Sequence, residues 1–350
     1  MTERARPASP FSDEPTPLRP DHADGVDPPG PAPIRDAELE SAGPRPWRAG
    51  QMRRADVYTR PIVDGKEVRD SAVLRVRDGL RRLLTPTLER EEAELERRLR
   101  APTTLRRTNT VAFVSPKGGV GKTTSTFLVG DLLATHAKLR VVAVDANVDF
   151  GTLAALAPDD VRAPVSLAEL LRDLDGVHSA AALRPYVSRL PSGLHVLGAP
   201  PDAEVMGRIT PDDYGTLLAF LGQWYEVILL DLGTGIAGEF AQFALRRADQ
   251  TVIVTTPEWI TASNVSGALR HLRRERATLV MNQAQDKHSG DARVVEEHFK
   301  RQAISKRVTI PYDTQLRTML DSATYAQASL RRDTRVPVKR LALAVRDHLV

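Results

Sequence analysis

A glycine-rich segment, Ser115–Thr124, has the residue types of a phosphate-binding loop. It reads Ser-Pro-Lys-Gly-Gly-Val-Gly-Lys-Thr-Thr and lies between a β-branched run and an apolar helical pattern. Glycines let consecutive backbone N–H groups turn toward a phosphate chain, and the positive end of the following helix strengthens the attraction. In such a loop Lys122 reaches the β- and γ-phosphates of ATP, and the Thr123 hydroxyl ligates Mg²⁺. The residues predicted to bind the nucleotide are Lys117, Gly118, Gly119, Val120, Gly121, Lys122, Thr123 and Thr124.

A carboxylate follows a second apolar strand pattern further along the chain. The run Val227–Leu230 ends at Asp231, and glycines follow at positions 233 and 235. A carboxylate at the end of a buried strand needs a partner, and either the hydration shell of Mg²⁺ or the loop hydroxyl would serve. A plain strand ending in a turn is the alternative. The glycines would let this segment move with the terminal phosphate.

Short apolar runs alternate with helical patterns from Asn109 onward. Such runs are typical of strands buried on both faces, and helical stretches such as Ser125–Ala137 and Pro211–Trp224 separate most of them. This order predicts an α/β fold with a doubly wound, mostly parallel sheet, whose ligands bind where loops follow the strands. The predicted strands are Val111–Ser115, Val141–Asp145, Leu194–Leu197, Val227–Asp231, Thr251–Thr255, Thr278–Asn282 and Val308–Ile310.

The chain before this region has a different composition. Residues 1–68 are rich in proline and poor in apolar side chains, which predicts a disordered tail. Residues 69–107 predict charged helices and a linker, beginning with a basic amphipathic helix over Asp70–Leu84. Thr85 and Pro86 fit an N-cap and a first-turn proline before a charged helix over Glu89–Arg100. We therefore expect a disordered and then helical N-terminal extension ahead of one domain over 108–350.

Composition limits the remaining chemistry. The 350 residues include no cysteine, which excludes disulfides, thiolate metal sites and iron–sulfur ligation. Neither a hydrophobic leader nor a membrane-spanning run is visible, so we expect a cytoplasmic protein, free or held at the nucleoid or membrane surface. The net charge is +4, yet the stretch from Arg246 to Asp347 holds 19 Lys and Arg against 11 Asp and Glu. This basic third could meet DNA, anionic lipid or an acidic partner, or be a solvated arginine-rich surface.

The loop and the strands around it resemble those of the MinD/ParA family of ATPases, whose deviant Walker A loop has the form Lys-Gly-Gly-x-Gly-Lys-Thr-Thr. Pro116 stands where the ordinary Walker pattern has glycine. The resemblance implies a P-loop NTPase fold, ATP hydrolysis and an ATP-dependent homodimer in which Lys117 crosses to the nucleotide of the partner subunit. A cation delivered in this way would tie hydrolysis to dimerisation, as an arginine finger does.

Further segments match the family in the expected order. Asp145 falls in the first switch and Asp231 at the end of the Walker B strand, and the resemblance implies that both hold Mg²⁺ together with Thr123. The family usually has an acid that orients the attacking water where Asn147 stands; an amide can bond that water but cannot accept its proton. We therefore expect either that Asp149 substitutes for it or that hydrolysis is slow. The predicted catalytic residues are Lys117, Lys122, Asn147 and Asp149.

Two later loops match positions that flank the adenine in the family. They imply three further nucleotide-binding residues, Asn282, Pro311 and Asp313. The resemblance covers about Asn109–Val350. Its switch sequences, with the Pro-rich and Arg-rich extension, look most like the actinobacterial MinD-like ATPases associated with type VII secretion.

Three hypotheses describe what a nucleotide switch of this kind would control. The first is a DNA-bound ATPase that partitions chromosomes or plasmids or positions cargo. The second, less favoured, is membrane association as at division sites; the apolar residues of Val338–Arg346 are mostly small, so we expect this helix to pack on the core. The third is a regulator or slow scaffold of a secretion apparatus, bound to a protein partner through the N-terminal extension. The first rests on basic clusters at Arg270, Arg273, Arg274 and Arg276, at Lys300, Arg301, Lys306 and Arg307, and at Arg331, Arg332, Arg335, Lys339 and Arg340.

Overall fold

The computed structural model describes residues 88–147, 151–235, 238–269, 276–284, 290–302 and 304–350. The predicted tail and amphipathic helix, and the cap at Thr85 and Pro86, lie outside these residues. The strands are β1 Asn109–Ser115, β2 Val141–Ala146, β3 Ser188–Arg189, β4 His195–Leu197, β5 Val227–Thr234, β6 Gln250–Thr255, β7 Ala277–Ala284 and β8 Lys306–Pro311. The helices are α1 Leu88–Arg100, α2 Lys122–Thr135, α3 Leu167–Asp173, α4 Ala180–Leu183, α5 Ala203–Gly207, α6 Pro211–Leu221, α7 Glu239–Arg247, α8 Trp259–Ala268, α9 Gly290–Lys300, α10 Thr314–Asp321 and α11 Arg332–Arg346.

The strands form one sheet in the order β3-β4-β2-β5-β1-β6-β7-β8. Every neighbouring pair is parallel except β3 and β4, which run antiparallel. The chain starts in the middle of the sheet at β1 and builds outward to both edges, so helices cover both faces. This architecture confirms the predicted doubly wound, mostly parallel α/β fold.

The predicted strands all form, with ends that differ by one to three residues from the sequence pattern. The sequence missed β3, because a two-residue strand is too short to show any periodicity. The predicted helix over Pro211–Trp224 ends earlier, at Leu221, because the chain turns tightly after Gly222 and the N–H of Trp224 donates to the carbonyl of Leu221.

Helix α2 packs against the central strands β1, β2 and β5, and α11 packs against α2 and the strands β7 and β8. In α2 consecutive apolar side chains, Phe127, Leu128 and Val129, are all buried, so this helix has no solvent-facing stripe. In α11 the predicted packing of Val338–Arg346 is confirmed, since Leu341 and Val345 are fully buried. No helix in the described part of the chain is long and apolar enough to cross a membrane.

An ion network fastens α1 onto α11. Glu92 accepts hydrogen bonds from Lys339 at 2.6 Å, from Arg332 at 3.1 Å and from Arg335. The ammonium group of Lys339, whose side chain is only 1% exposed, also donates to Glu96. A buried ammonium group is costly unless it is paired, and here two carboxylates of α1 pair it. Helix α1, which the sequence predicts as a charged helix over Glu89–Arg100 in the extension ahead of the domain, is therefore packed on the domain.

The same network revises one of the predicted basic clusters. Arg332, Arg335, Lys339 and Arg340 all form ion pairs with glutamates of α1. This cluster is neutralised within the chain, so it is not the free cationic surface that DNA binding requires. The glutamates lie more than two hundred residues away in sequence, and no local pattern could reveal the pairing. The paired carboxylates belong to Glu89, Glu91, Glu92 and Glu96.

We expect Glu92→Gln to lower the free energy of unfolding by about 3 kcal/mol near pH 7, because it breaks a buried ion pair from one side. The hydrogen bond from Arg335, aided by Lys339, lowers the pKa of Glu92 from 4.5 to about 2. The stabilisation is therefore complete above pH 4.5 and fades as the pH falls toward 2. Urea unfolding of both proteins at pH 7 and pH 3 measures the difference.

The matched control is Glu94→Gln, on the exposed side of α1. In the part of the chain that the structure describes, Glu94 pairs only with Arg97, and the two side chains are 49% and 74% exposed. Exposed pairs contribute little, so this change should cost less than about 0.5 kcal/mol. Equal losses in the two variants, or a Glu92→Gln loss that persists undiminished at pH 3, would contradict the role given to Glu92.

Candidate nucleotide-binding site

The glycine-rich loop joins β1 to α2 at the carboxyl edge of the sheet. Gly119 and Gly121 have φ angles of 74° and 89°, a region that L side chains rarely adopt. A Cβ on Gly121 would also lie 2.0 Å from Nδ2 of Asn282. Both backbone angle and space therefore require glycine here. The resulting turn brings the loop back over the first turn of α2, where a helix favours anions.

Two amides at the end of β7 hold this loop. Nδ2 of Asn282 donates to the carbonyl of Val120 at 2.8 Å, and Nε2 of Gln283 donates to the carbonyl of Gly119 at 3.0 Å. Both bonds use loop carbonyl groups, so they fix the loop without consuming its N–H donors. The sequence predicted Asn282 but not Gln283, whose position directly after that residue was the only available signal.

A cavity of about 710 Å³ opens over the loop. Its size lies within the range of small-molecule sites. It brings together residues from the ends of β1, β2, β7 and β8, as the carboxyl edge of a parallel sheet should. The residues of its wall that the sequence predicted are Lys117, Gly118, Gly119, Val120, Gly121, Lys122, Thr123, Thr124, Asn147, Asn282, Pro311 and Asp313.

The wall also contains residues that the sequence did not single out. Tyr312 and Arg317 lie on the side formed by the end of β8 and the start of α10, and Leu156 faces the cavity from the segment after β2. Their types are unremarkable in sequence, and only the fold places them beside the loop. An aromatic ring, a guanidinium group and an apolar side chain on one wall suit the flat face of a nucleobase.

Lys122 forms a buried ion pair with Asp231. Its ammonium group lies 2.9 Å from the carboxylate, and the two side chains are only 9% and 1% exposed. The lysine begins α2 and the aspartate belongs to β5, so the pair joins the loop to the central strand. Among the described residues Asp231 has this one ion-pair partner. Removing the lysine would leave a buried carboxylate uncompensated.

Asp145 lies beside Asp231 on the neighbouring strand. Strands β2 and β5 pair them in register. Burial, and then the charge of Asp231, raises the pKa of Asp145 from 3.8 to about 6. Hydrogen bonds from the backbone N–H groups of Leu153, at 2.8 Å, and Asn147, at 3.3 Å, act against that rise. Two adjacent buried carboxylates are unfavourable unless a proton or a cation lies near them.

The donor set fits magnesium that arrives with a nucleotide. Thr123, which lines the cavity, and Asp145 and Asp231, which are paired in register on β2 and β5 and do not line it, are hard oxygen donors. Within the described residues no group of three or more His, Asp or Glu could hold a metal ion. Mg²⁺ commonly takes only one or two carboxylates and completes its shell with phosphate oxygens and water. These residues would therefore hold the ion only together with phosphate.

Two other predicted residues have different surroundings. Asn147 lines the cavity, whereas Asp149 lies outside the described residues, so its suggested role stays a prediction. Lys117 lies on the rim, where its ammonium group is 2.8 Å from the carboxylate of Glu258. The Lys117 side chain is about half exposed, and Glu258 is the residue immediately before α8. The lysine is thus held within its own subunit by a solvent-exposed pair.

The structure qualifies the prediction for Asp313. Its carboxylate caps α10 by accepting hydrogen bonds from the N–H groups of Gln315, at 2.9 Å, and Leu316, at 3.2 Å. It also accepts one from the hydroxyl of Thr334 on α11, at 2.5 Å. The residue does line the cavity, but its charged group is committed to the helix cap and to α11. Its carboxylate therefore stabilises the fold.

Comparison with known proteins agrees with this geometry. Residues 111–323 match the family model described as the CobQ/CobB/MinD/ParA nucleotide binding domain. The ESX-1 secretion-associated protein EspI of Mycobacterium tuberculosis is 27% identical over 234 residues, which cover 64% of this chain and 34% of EspI. The chain thus spans about a third of the length of that relative.

Solved structures share the fold at lower identity. A ParA family ATPase from Chlorobium tepidum is 22% identical with a TM-score of 0.57, covering 68% of this chain and 98% of the other. The septum site-determining protein MinD of Pyrococcus horikoshii, solved with Mg-ADP, is 21% identical with a TM-score of 0.52, covering 67% and 94%. The family match spans more than half of the chain and includes the glycine-rich loop, β2 and β5. The chain belongs to the CobQ/CobB/MinD/ParA family of P-loop nucleotide-binding proteins.

Proposed function

We propose that this chain binds ATP with Mg²⁺ in the cavity over the glycine-rich loop and hydrolyses it to ADP and phosphate. The observation that carries this proposal is the buried Lys122–Asp231 ion pair, with Asp145 in register beside it, at the start of the helix that follows the glycine-rich loop. A related structure, MinD of P. horikoshii, was solved with Mg-ADP. Thr123, Asp145 and Asp231 would hold the magnesium ion, which neutralises charge on the phosphates.

Binding of ATP exchanges the partner of Lys122. The ammonium group now lies 2.9 Å from the carboxylate of Asp231, and a terminal phosphate carries more negative charge than one carboxylate. When Lys122 turns to the phosphate, Asp231 loses the ammonium group that balanced its charge. Its carboxylate is then available to the Mg²⁺ ion or to the water bound to that ion. Asp231 belongs to β5, so losing this ion pair would alter the carboxyl end of that strand. The next residue after the strand, Gly235, has a φ of 87°. This supplies a switch that reports the terminal phosphate.

Hydrolysis by this site should be slow. Asn147 lines the cavity where a water-orienting group belongs, but its amide cannot accept a proton. We propose that Asp149, two residues further on, assists the reaction. If it does not, ATP binding rather than turnover is the main output of the site, and the protein acts as a slow scaffold.

We propose that the ATP-bound form is a homodimer in which Lys117 contacts the nucleotide of the partner subunit. The resemblance of the loop to the MinD/ParA form supports this role. In the monomer, Glu258 holds the same lysine at 2.8 Å, and both side chains are solvent-exposed. Exposed pairs are weak, so the lysine can leave this contact at little cost.

The dimer would position or regulate other cellular machinery. A role in DNA or cargo positioning rests on the basic residues that remain outside the α1 network, among them Lys300, Arg301, Lys306 and Arg307. These residues are exposed, although Lys300 pairs with Glu297. The similarity to EspI favours a second candidate, regulation of a secretion apparatus. DNA that stimulates turnover, with an affinity that falls steeply with salt, would select the first.

Lys122→Ala should weaken binding of a fluorescent ATP analogue at least a hundredfold, because it removes the cation from the phosphate site. It should also abolish phosphate release and any ATP-dependent dimer in light scattering. Lys300→Ala, which removes an exposed lysine of the same charge, is the matched control and should bind as wild type does. ATP binding unchanged by Lys122→Ala would place the nucleotide elsewhere.

Asp145→Asn should make the nucleotide-free protein more stable at pH 8. The pKa of Asp145 is raised from 3.8 to about 6, so its ionisation opposes folding increasingly as the pH rises through that range. We expect a gain of about 2 kcal/mol at pH 8 and none at pH 4 by urea unfolding. The variant should also lose Mg²⁺-dependent ATP binding. Asp175→Asn, an exposed change of the same kind, should do neither, and a destabilised Asp145→Asn protein at pH 8 would refute the charge conflict.

Glu258→Gln should release Lys117 for the partner subunit. We expect the protein concentration at which half of the chains dimerise in ATP to fall by up to about thirtyfold, since each of the two subunits loses an exposed pair that contributes at most about 1 kcal/mol. Glu297→Gln, which frees Lys300 instead, is the control. Weaker dimerisation of Glu258→Gln would show that Glu258 acts within the dimer contact itself.

A further inference from the structure

A second cavity, of about 440 Å³, lies at the opposite edge of the sheet. Its wall includes Val141 at the start of β2, His195 at the start of β4 and Tyr225 just before β5. These are the amino ends of parallel strands, whereas the nucleotide cavity lies at their carboxyl ends. The two cavities therefore share no residue, and a ligand in this one would leave the nucleotide site open.

The wall combines apolar surface, the polar side chains of His195 and Tyr225, and a set of cations. Trp224, Leu183 and Val187 provide apolar surface, and the guanidinium-bearing residues are Arg140, Arg184 and Arg189. Among the described residues no Asp or Glu lines the cavity. Arg140 approaches Glu226 at 3.5 Å, but within the described residues no ion pair is formed by Arg184 or Arg189. Two cations thus face an apolar cavity without a carboxylate to balance them.

A hydrogen-bonded chain fixes Arg189 at this cavity. Its Nε donates to Nε2 of His195 at 3.2 Å, and Nδ1 of that ring is 2.7 Å from the hydroxyl of Tyr225. An arginine can only donate, so Nε2 is the acceptor and the proton of the neutral ring is on Nδ1, which donates to the tyrosine. Burial, together with Arg189, lowers the pKa of His195 to about 4, so the ring is neutral at pH 7.

These hydrogen bonds orient the Arg189 side chain and leave its two terminal nitrogens available to a ligand. Only Nε is used in the bond to His195, whereas bidentate binding of an anion employs the planar fork of the guanidinium group. An oriented arginine loses less side-chain entropy on binding than a mobile surface arginine. Arg184 adds a second cation at the opening. The cavity is therefore most complementary to a ligand that joins a negatively charged group to an apolar part.

We infer that this cavity binds a small organic anion, with a carboxylate, sulfonate or phosphate group at Arg184 and Arg189 and a flat apolar body against Trp224 and Leu183. The volume suits one molecule of this kind. The site is built by the β3–β4 hairpin and by α4, which are separate from the nucleotide loop. It is thus independent of the proposed ATPase activity, and binding there would act on the amino ends of β2 and β4.

The test uses 1-anilinonaphthalene-8-sulfonate, an aromatic sulfonate, with the full-length protein held in saturating ADP and Mg²⁺. We expect one saturable site per chain, with energy transfer from tryptophan that falls in Trp224→Phe. Arg189→Gln and Arg184→Gln should each weaken binding about tenfold, because each removes a charge-assisted contact. N-phenyl-1-naphthylamine, which has the same rings without the sulfonate, should bind at least tenfold more weakly than the sulfonate.

The matched control is Arg208→Gln, which removes an exposed arginine that lines neither cavity. It should bind the dye as wild type does. Within the described residues the Arg184 side chain makes no hydrogen bond or ion pair, and its backbone N–H bond to Ala181 survives the substitution, so this variant keeps the fold even if Arg189→Gln does not. Equal binding of the neutral dye, equal losses in Arg208→Gln, or saturable dye binding that is seen only when ADP is left out would each overturn the assignment.

Discussion

Burial of like charge at the carboxyl edge of the sheet is the constraint on which the rest of the site depends. Asp145 and Asp231 are in register on adjacent strands, and both are almost completely buried. The ammonium group of Lys122 balances only one of these charges. The second negative charge is unbalanced, and burial together with this imbalance raises the pKa of Asp145. A metal ion and a phosphate chain would complete this balance, which explains how one ligand can affect two strands and the loop between β1 and α2.

A second buried cation is handled by different means. Lys339 is as inaccessible as Asp231, yet it is paired with two glutamates of α1. Its ion network is satisfied within the chain, so it stabilises the domain and offers nothing to a ligand. The contrast separates a structural charge cluster from a functional one. A functional cluster has an unbalanced charge and an opening beside it.

The sequence indicated most of the nucleotide site because its residues follow apolar runs and short glycine spacings, which are local signals. The ends of β1, β2, β5 and β7 could be placed in this way, and so could the loop residues. The contacts that the side chains make could not be predicted in this way. The contact between Lys117 and Glu258 and the neutralised cluster on α11 join residues that are far apart in the chain. The cap formed by Asp313 is local, but its bond from Thr334 on α11 is not. The cavity at the other edge depends on β3, a strand too short to leave a pattern.

The attachment of α1 has a consequence for everything that precedes it in the chain. The pKa of Glu92 lies near 2, so no physiological pH releases this helix by protonating that carboxylate. Leu88, the first residue of α1, is therefore held at a fixed position on the surface of the domain, beside the start of α11. Any partner bound by the 87 residues before it would be held near the nucleotide-binding domain, which would raise the partner's effective concentration there.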